Sequence, residues 1–371
     1  MKIGVMLRHF KRQPGGLGTY TNNLLDYLLK IDTKNHYVFT YKDENLLGSY
    51  LPYPNVEEIV VRSSSNLTWD QIAIPTVAKR KELDLIFNPK LTVPIFSRCK
   101  KLFTMAGGDW FVFPHNYVWY DRIYHKVFAP LYFRSADAII SISESATQDI
   151  INNVKVDEEK IHTIHLGVNE HFRPIDDEQH LEAVARRYNL PEHFILFVGQ
   201  IYPMKNVGGI IKAFAKFHKQ IPHKLVIVGK PGLKYKKELA LIDKYNLGKH
   251  VTLIGWIPYE DLPAFYNLAE LFLFPSLYEG FGIPLLEAMA CGCPVVTSNR
   301  GATGEVVGDA AMLVDPTDAS SISNGVYDVM TQPELRQDLI DRGFKRVKNF
   351  SWERCARETL ALFESLNRGS A

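Results

Sequence analysis

The chain has 371 residues, of which 46% are apolar, and its 43 basic side chains nearly balance its 41 acidic side chains. This length and composition predict a globular protein of two domains and exclude a disordered or fibrous chain. The near-neutral charge argues against binding to nucleic acid through a general positive field, so any anion site must be local.

The first residues and the cysteines bear on the location of the protein. The opening apolar run stops at Arg8, which is too short for a secretory signal peptide. No window reaches the roughly 20 apolar residues that a membrane-spanning helix needs. Four cysteines are too few for a disulfide framework, and a cytoplasmic location is expected. Cys291 and Cys293 lack a second pair of ligands, so we expect no metal there.

Short apolar or β-branched runs alternate with amphipathic runs along most of the chain, which indicates βαβ units with parallel sheets. The predicted strands of the first half are KIGVML, YVFTY, EIVVR, DLIF, KLFTM and ADAIISI. Helices are predicted to begin near Leu17 and after Ser143. The second half repeats the pattern with FILFVG, KLVIVG, VTLIG, LFLFPS, PVVTS and AMLVDP. The simplest interpretation is two doubly wound α/β domains that join within residues 164–177.

The turn after the predicted strand LFLFPS carries the clearest functional pattern. Glu279 and Glu287 flank the sequence GFGIP, in which Gly282 permits unusual backbone angles and Pro284 suits the first turn of a helix. The free amides at such a helix start favour an anion, and the carboxylates can accept hydrogen bonds from hydroxyl groups beside it. A phosphate between two hydroxyl-bearing groups describes a nucleotide sugar. The alternative is that Glu279 caps the helix and Glu287 is a solvated first-turn charge.

The stretch FPSLYEGFGIPLLEAMACGCPVVTSN, followed by GDAAMLVDP, resembles the signature of the retaining GT-B glycosyltransferases of family 4, also called glycosyl transferases group 1. Glu279 and Glu287 match the E-x7-E motif of that family. The likeness extends to FVGQIYPMKNVGGIIKAF, PYEDLPAFYNLAELFLFPS, ISISESATQDI and GGLGTY, so it covers nearly the whole chain.

The resemblance implies the GT-B fold, in which two Rossmann-like domains face a deep cleft. It implies an acceptor-side domain at residues 1–170, a nucleotide-sugar domain at 171–350 and a helix at 351–371 that crosses back to the first domain. The implied enzyme is a hexosyltransferase that moves glucose or mannose, with retention, from a UDP- or GDP-sugar to a glycan or lipid-linked acceptor. Surface polysaccharide synthesis is the implied context, and neither a metal nor another cofactor is expected.

Residue roles also follow from the resemblance. Glu287 would hold the ribose hydroxyls and Glu279 a hydroxyl of the transferred sugar. Lys205 would contact the diphosphate, where an ammonium group stabilises the leaving group. The donor-binding backbone of the family corresponds here to Gly16 in the amino-terminal glycine loop and to Phe281, Gly282 and Ile283 at the helix start.

Two positions depart from the family pattern. Gln200 stands where an arginine is common, so a bidentate cation is missing. Ala106 stands at the catalytic position that is usually histidine in patterns such as H-G-x-D-W, and Asp109 follows as a further candidate. These departures suggest one alternative, a catalytically weakened nucleotide-sugar-binding protein. A second alternative is a GT-B relative with other chemistry, such as a nucleotide-sugar epimerase.

The segment 110–134 interleaves aromatic and basic residues, including Trp119, Tyr120 and Lys126. Such a segment can lie on a membrane that carries a lipid-linked acceptor, which would place the protein peripherally at the inner membrane face. The alternative is a helix whose aromatic residues belong to the core while its basic groups reach solvent.

Overall fold

The computed structural model of the chain describes residues 1–10 and 16–368. The chain forms two compact units, one of Met1–Gly167 with the segment from Trp352 onward and one of Val168–Ser351. Each unit contains a twisted sheet of parallel strands with helices on its faces, so the predicted pair of Rossmann-like α/β sheets is confirmed.

The sheet of the first unit has seven strands in the order β3-β2-β1-β4-β5-β6-β7. These strands are β1 (Lys2–Met6), β2 (His36–Tyr41), β3 (Val56–Val60), β4 (Leu85–Asn88), β5 (Lys100–Met105), β6 (Ala138–Ser141) and β7 (Ile161–Thr163). The six strands predicted for this half are confirmed. The edge strand β7 was not predicted, because three half-buried residues carry too little apolar pattern to stand out from a loop.

The helices of the first unit are α1 (Gly16–Ile31), α2 (Asn66–Thr68), α3 (Ile74–Lys81), α4 (Asp109–Val112), α5 (Trp119–Ser135), α6 (Glu144–Asn153) and α15 (Trp352–Arg368). A π-helical turn at Trp69–Ala73 joins α2 to α3. The predicted start of α6 is confirmed, because the Ser143 side chain accepts a hydrogen bond from the amide of Ala146 and caps the helix.

One helix pair and one strand–helix contact close the core of the first unit. The terminal helix α15 packs against α1, and its Phe363 ring lies 5.2 Å from that of Phe87 on β4. The rings of Phe103 on β5 and Phe133 on α5 meet edge to face at 5.1 Å, and both side chains are fully buried. Large aromatic side chains therefore fill the interior on which α5 rests.

The second unit has a six-stranded sheet in the order β10-β9-β8-β11-β12-β13. Its strands are β8 (Phe194–Val198), β9 (Lys224–Val228), β10 (Val251–Gly255), β11 (Leu271–Phe274), β12 (Val295–Ser298) and β13 (Met312–Val314). Its helices are α7 (Glu178–Arg187), α8 (Val207–Phe217), α9 (Tyr235–Lys244), α10 (Leu262–Leu268), α11 (Ile283–Ala290), α12 (Ala302–Val307), α13 (Ala319–Thr331) and α14 (Pro333–Val347). All six predicted strands are confirmed.

The central strands of the second sheet are buried along almost their whole length, as parallel strands covered on both faces must be. The carboxyl ends of β8 and β9 come so close that a side chain at Gly229 would lie 1.9 Å from the carbonyl oxygen of Gly199. Only glycine fits at that point. The loops that leave this edge of the sheet are therefore held close together.

Candidate functional site

Lys205 and Glu279 meet at the carboxyl edge of the second sheet, on the loops that follow β8 and β11. The ammonium group of Lys205 donates to Oε1 of Glu279 at 2.5 Å, and the two side chains are only 16% and 11% exposed. The same ammonium group lies 5.1 Å from the centre of the Phe274 ring. The interpretation of Glu279 as a helix cap is wrong, because no side chain caps the start of α11.

Asn206 fixes the loop that carries Lys205. A short 3-10 helix, Pro203–Lys205, ends at Asn206, which adopts the left-handed conformation with φ of 57°. Its side-chain amide donates to the carbonyl of Pro275 at 3.0 Å and to that of Pro316 at 2.7 Å. The loop after β8 is thereby tied to the ends of β11 and β13, which places the ammonium group beside Glu279.

The helix α11 begins where the glycine-rich turn ends. Gly282 has φ of 108°, a conformation that residues with a side chain rarely adopt, and Pro284 occupies the first turn. The Phe281 ring is buried and packs 5.8 Å from that of Phe350. The first amides of α11, including that of Ile283, have no partner inside the helix, so this end carries a partial positive charge near Glu279.

Glu287 is buried inside the second unit. Its side chain lies on α11, the residue is 3% exposed, and its two carboxylate oxygens accept hydrogen bonds from Tyr259 at 3.1 Å and from Tyr266 at 3.0 Å. Burial raises the pKa of Glu287 to about 7, although both tyrosine hydrogen bonds act in the opposite direction. The interpretation of Glu287 as a solvated first-turn charge is therefore wrong.

Tyr259 and Tyr266 were not singled out from the sequence. They lie in the segment PYEDLPAFY, one in a 3-10 turn and the other on α10, seven residues apart. Residues seven apart lie on one face of a helix, two turns from each other, so both can contact the same buried side chain. This spacing is the signal that could have identified them. Burial and the neighbouring carboxylate raise the pKa of both tyrosines, so both stay protonated and act as donors to Glu287.

The remaining predicted donor residue of this unit, Gln200, lies exposed two residues after the end of β8. Its side chain lies beside Gly232, where an added Cβ would come within 3.0 Å of it. The second unit therefore gathers Gln200, Lys205 and Glu279 at the carboxyl edge of one sheet, while Glu287 lies buried on the adjoining helix.

The other predicted residues belong to the first unit. Ala106 is exposed directly after β5, at the carboxyl edge of that sheet, and Asp109 begins α4 and accepts a hydrogen bond from the hydroxyl of Tyr117. Gly16 is the first residue of α1. The neighbouring Gly15 lies outside the described residues, as do residues 11–14.

A buried ionic group in the first unit also escaped the sequence analysis. Arg8 follows β1, and its guanidinium donates to the carboxylate of Asp70 at 3.1 Å. Burial raises the pKa of Asp70 to about 6, and the charge of Arg8 opposes that rise. No sequence signal marks this pair, because its members are 62 positions apart and no local pattern links a residue after β1 to one in the π-helical turn.

A groove of about 770 Å³ lies beside α5 in the first unit. Its walls combine apolar side chains with basic ones, among them Trp110, Trp119, Arg122, Lys126 and Lys155.

The exposed face of α5 beside this groove carries an apolar row, Tyr120, Ile123, Val127 and Leu131. Trp119 is 71% exposed and Ile123 is 54% exposed, whereas Phe133 is buried in the core. The helix is thus apolar on its buried side and on much of its exposed side, which is typical of an interaction surface. None of the helices within residues 1–10 and 16–368 is long and apolar enough to cross a membrane.

Two family models match the chain. The one described as Glycosyltransferase Family 4 matches residues 14–172, and the one described as Glycosyl transferases group 1 matches residues 182–346. Among curated proteins, the O-antigen chain mannosyltransferase B of Escherichia coli is 32% identical over 235 residues, which are 62% of this chain and 61% of that protein. The match therefore spans less than two thirds of that relative's length.

Solved structures share the fold over nearly the full chain. Sucrose-phosphate synthase from Thermosynechococcus elongatus superposes with a TM-score of 0.80 at 22% identity, covering 99% of both chains. HepE from Anabaena, solved in complex with UDP-glucose, superposes with a TM-score of 0.78 at 19% identity, covering 98% of this chain and 100% of that chain.

Proposed function

Because the chain belongs to the family 4 glycosyltransferases and has their GT-B fold, we propose that it transfers a hexose from a nucleotide diphosphate sugar to an acceptor with retention of anomeric configuration. The observation that carries this proposal is the pairing of Lys205 with Glu279 beside the start of α11. A preformed cation, a carboxylate and a helix amino terminus are the groups that a sugar diphosphate requires.

The chemistry assigned to these groups follows the charge that develops in the reaction. As the glycosidic bond breaks, negative charge grows on the diphosphate, and Lys205 together with the amides of Gly282 and Ile283 stabilises it. Glu279 then accepts a hydrogen bond from a hydroxyl of the transferred hexose. The leaving phosphate oxygen takes the proton of the attacking acceptor hydroxyl on the same face of the sugar.

Glu287 is proposed to hold the ribose of the donor. A carboxylate offers about four lone-pair sites, and the two tyrosine hydrogen bonds occupy only two of them. Ribose hydroxyls can therefore add to the existing bonds once the nucleotide opens a path to the side chain. Tyr259 and Tyr266 hold the carboxylate in place for that contact.

We propose mannose as the transferred hexose, because the E. coli relative is named a mannosyltransferase. The nucleotide has to be identified by experiment. HepE was solved with UDP-glucose, whereas the name of the mannosyltransferase relative specifies the sugar but not the nucleotide. The proposed acceptor is a lipid-linked glycan of surface polysaccharide synthesis. Its support is the apolar groove with basic walls next to α5, which suits a phosphate attached to a hydrocarbon chain.

The test is an assay of donor cleavage and transfer with GDP-mannose, UDP-glucose and other nucleotide hexoses. We expect sugar release or transfer with one of these donors. Lys205→Ala and Glu279→Gln should lose turnover. The glycosidic bond of the product should have the same anomeric configuration, axial or equatorial, as that of the donor. Lys212→Ala is the matched control, because Lys212 is an exposed lysine on α8. Inversion of configuration by the parent enzyme would refute the retaining mechanism.

The exposed Ala106 after β5 favours one alternative, a nucleotide-sugar-binding protein with weakened catalysis. Such a protein would bind the donor and release no sugar from it, whereas an active transferase hydrolyses the donor slowly without an acceptor. An epimerase would convert the nucleotide sugar to its epimer, which separates from the substrate on an anion-exchange column. The same assay therefore distinguishes the three functions.

A further inference from the structure

Three potential metal ligands lie together at the amino edge of the second sheet, opposite the edge that carries Lys205 and Glu279. His193 directly precedes β8, His223 precedes β9 and Glu270 precedes β11, and these three strands are neighbours in the sheet. Their backbones are joined by ladder hydrogen bonds, from Lys224 to His193 at 3.0 Å and from Glu270 to Phe194 at 3.1 Å. The three side chains thus start from a rigid framework.

The ligand atoms are already close to the spacing of a metal site. Nδ1 of His193 lies 2.6 Å from Oε1 of Glu270, and Nε2 of His223 lies 3.0 Å from Oε2. One atom from each residue lies within 4.8 Å of the other two. Zinc bonds of about 2.0–2.2 Å in tetrahedral geometry separate ligand atoms by roughly 3.3–3.5 Å. Pairs of ligand atoms would therefore have to move by at most about 1.4 Å relative to each other to hold the ion.

His223 supplies an independent sign of a ligand. The residue is 8% exposed, and neither of its ring nitrogens makes a hydrogen bond among the described residues. Nε2 nevertheless lies 3.0 Å from Oε2 of Glu270, within ion-pair distance. A buried ring nitrogen without a hydrogen bond is costly, and a metal ion would give the nitrogen that faces Glu270 a coordinate bond.

Some of the charges around the three residues attract a cation and others repel it. Glu270 and the neighbouring Glu192 add negative charge that attracts a cation. The guanidinium of Arg336 lies 3.5 Å from Oε2 of Glu270 and repels one. Its side chain is one third exposed and can turn into solvent, so the competition lowers the affinity without blocking the position.

From this arrangement we infer that His193, His223 and Glu270 bind a divalent transition-metal ion such as Zn²⁺. Two imidazoles and one carboxylate are a ligand set suited to zinc, and three protein ligands leave a fourth position for water. The half-exposed His193 gives the ion access from solvent. Because the ligands join the starts of three strands, the bound ion cross-links the second unit and stabilises it, at a distance from the sugar-transfer groups on the opposite edge.

The experiment uses the full chain without a histidine tag, stripped with a chelator and titrated with ZnCl₂ by calorimetry and in a thermal melt. We expect one equivalent of zinc to bind and to raise the melting temperature. His193→Ala and Glu270→Gln should each weaken zinc binding about 100-fold or more, since they remove ligands rather than the supporting residues whose loss costs 10–100-fold. Co²⁺ in place of Zn²⁺ should show the visible absorption of a tetrahedral ion.

Two further variants sharpen the result. Arg336→Gln should tighten zinc binding several-fold because it removes the competing cation. His180→Ala is the matched control, since His180 is an exposed histidine at the start of α7 and should leave binding unchanged. Zinc affinity that is equal in the parent and in His193→Ala, or a melting temperature that zinc does not raise, would overturn the inference. Neither outcome bears on donor cleavage, so the proposed transferase stands or falls separately.

Discussion

Replacement of Glu287 by glutamine should change how the stability of the second unit depends on pH. The carboxyl group is buried against Tyr259 and Tyr266, and its pKa is raised from 4.5 to about 7. In the unfolded chain it ionises near its ordinary value, so between these two values unfolding releases a proton. Stability from this group is therefore complete below about pH 4.5 and is lost as the pH rises to about 7.

The magnitude follows from the size of that shift. One pKa unit corresponds to 1.36 kcal/mol, so a rise from 4.5 to about 7 amounts to about 3 kcal/mol of unfolding free energy. Glu287→Gln removes the titration and keeps the size of the side chain. The glutamine amide must rearrange its bonds with the two tyrosines, which costs about 1 kcal/mol at every pH.

The assay is urea unfolding of the parent and of Glu287→Gln between pH 5 and pH 8. Relative to the variant, the parent should lose about 2–3 kcal/mol of unfolding free energy over that range, so the variant becomes the more stable protein at pH 8. Glu334→Gln is the matched control, because Glu334 is an exposed first-turn residue of α14. A difference between parent and Glu287→Gln that stays constant from pH 5 to pH 8 would refute the reasoning.

Three further predictions test the loop, the departure from the family and the groove. Asn206→Ala should lower the unfolding free energy by about 2–4 kcal/mol in urea unfolding, because it places alanine in a left-handed conformation and leaves two carbonyls without their hydrogen bonds. Asn206→Gly should recover only the part of this loss that comes from backbone strain. Full recovery in Asn206→Gly would contradict a contribution from the hydrogen bonds. If a positioned polar group is missing at this position, Ala106→His should raise transfer or donor hydrolysis by about 10²–10⁴-fold in the assay of donor cleavage and transfer. A variant no faster than the parent would contradict that role. Lys126→Glu should reduce the fraction of protein that sediments with anionic phospholipid vesicles, whereas the control Lys79→Glu on α3 should not. Equal vesicle binding by both variants would exclude the basic wall of the groove as the lipid contact.

The strands were predictable because the sequence encodes each of them locally. Runs such as FILFV and LFLF are four or five residues long and apolar throughout, as is typical of strands that are covered on both faces. The edge strand β7 was missed for the converse reason, since IHT contains one aliphatic residue in three. Local pattern thus predicts the interior of a sheet better than its edges.

The position of Glu279 was predictable as part of a motif, but its partner was not. The turn residues Gly282 and Pro284 act on their own backbone, so their effect can be deduced from the sequence. Lys205 lies 74 residues earlier, and its pairing with Glu279 depends on how Asn206 ties two loops together. No local pattern encodes a hydrogen bond between segments so far apart in the chain.

The burial of Glu287 shows a further limit of sequence reasoning, and it changes what the E-x7-E spacing means. The two carboxylates are eight positions apart, but one precedes the helix and the other lies within it, so their environments differ. Glu279 pairs with the ammonium group of Lys205, while Glu287 faces two hydroxyl donors inside the unit, where burial opposes its charge. A nucleotide that contacts both would therefore meet one carboxylate that is already paired and one that ionises near neutral pH. Glu287 must be charged to accept hydrogen bonds with all its lone pairs, so ribose binding at Glu287 should strengthen as the pH rises through about 7. Isothermal titration with a nucleoside diphosphate at pH 6 and at pH 8 measures this change in affinity.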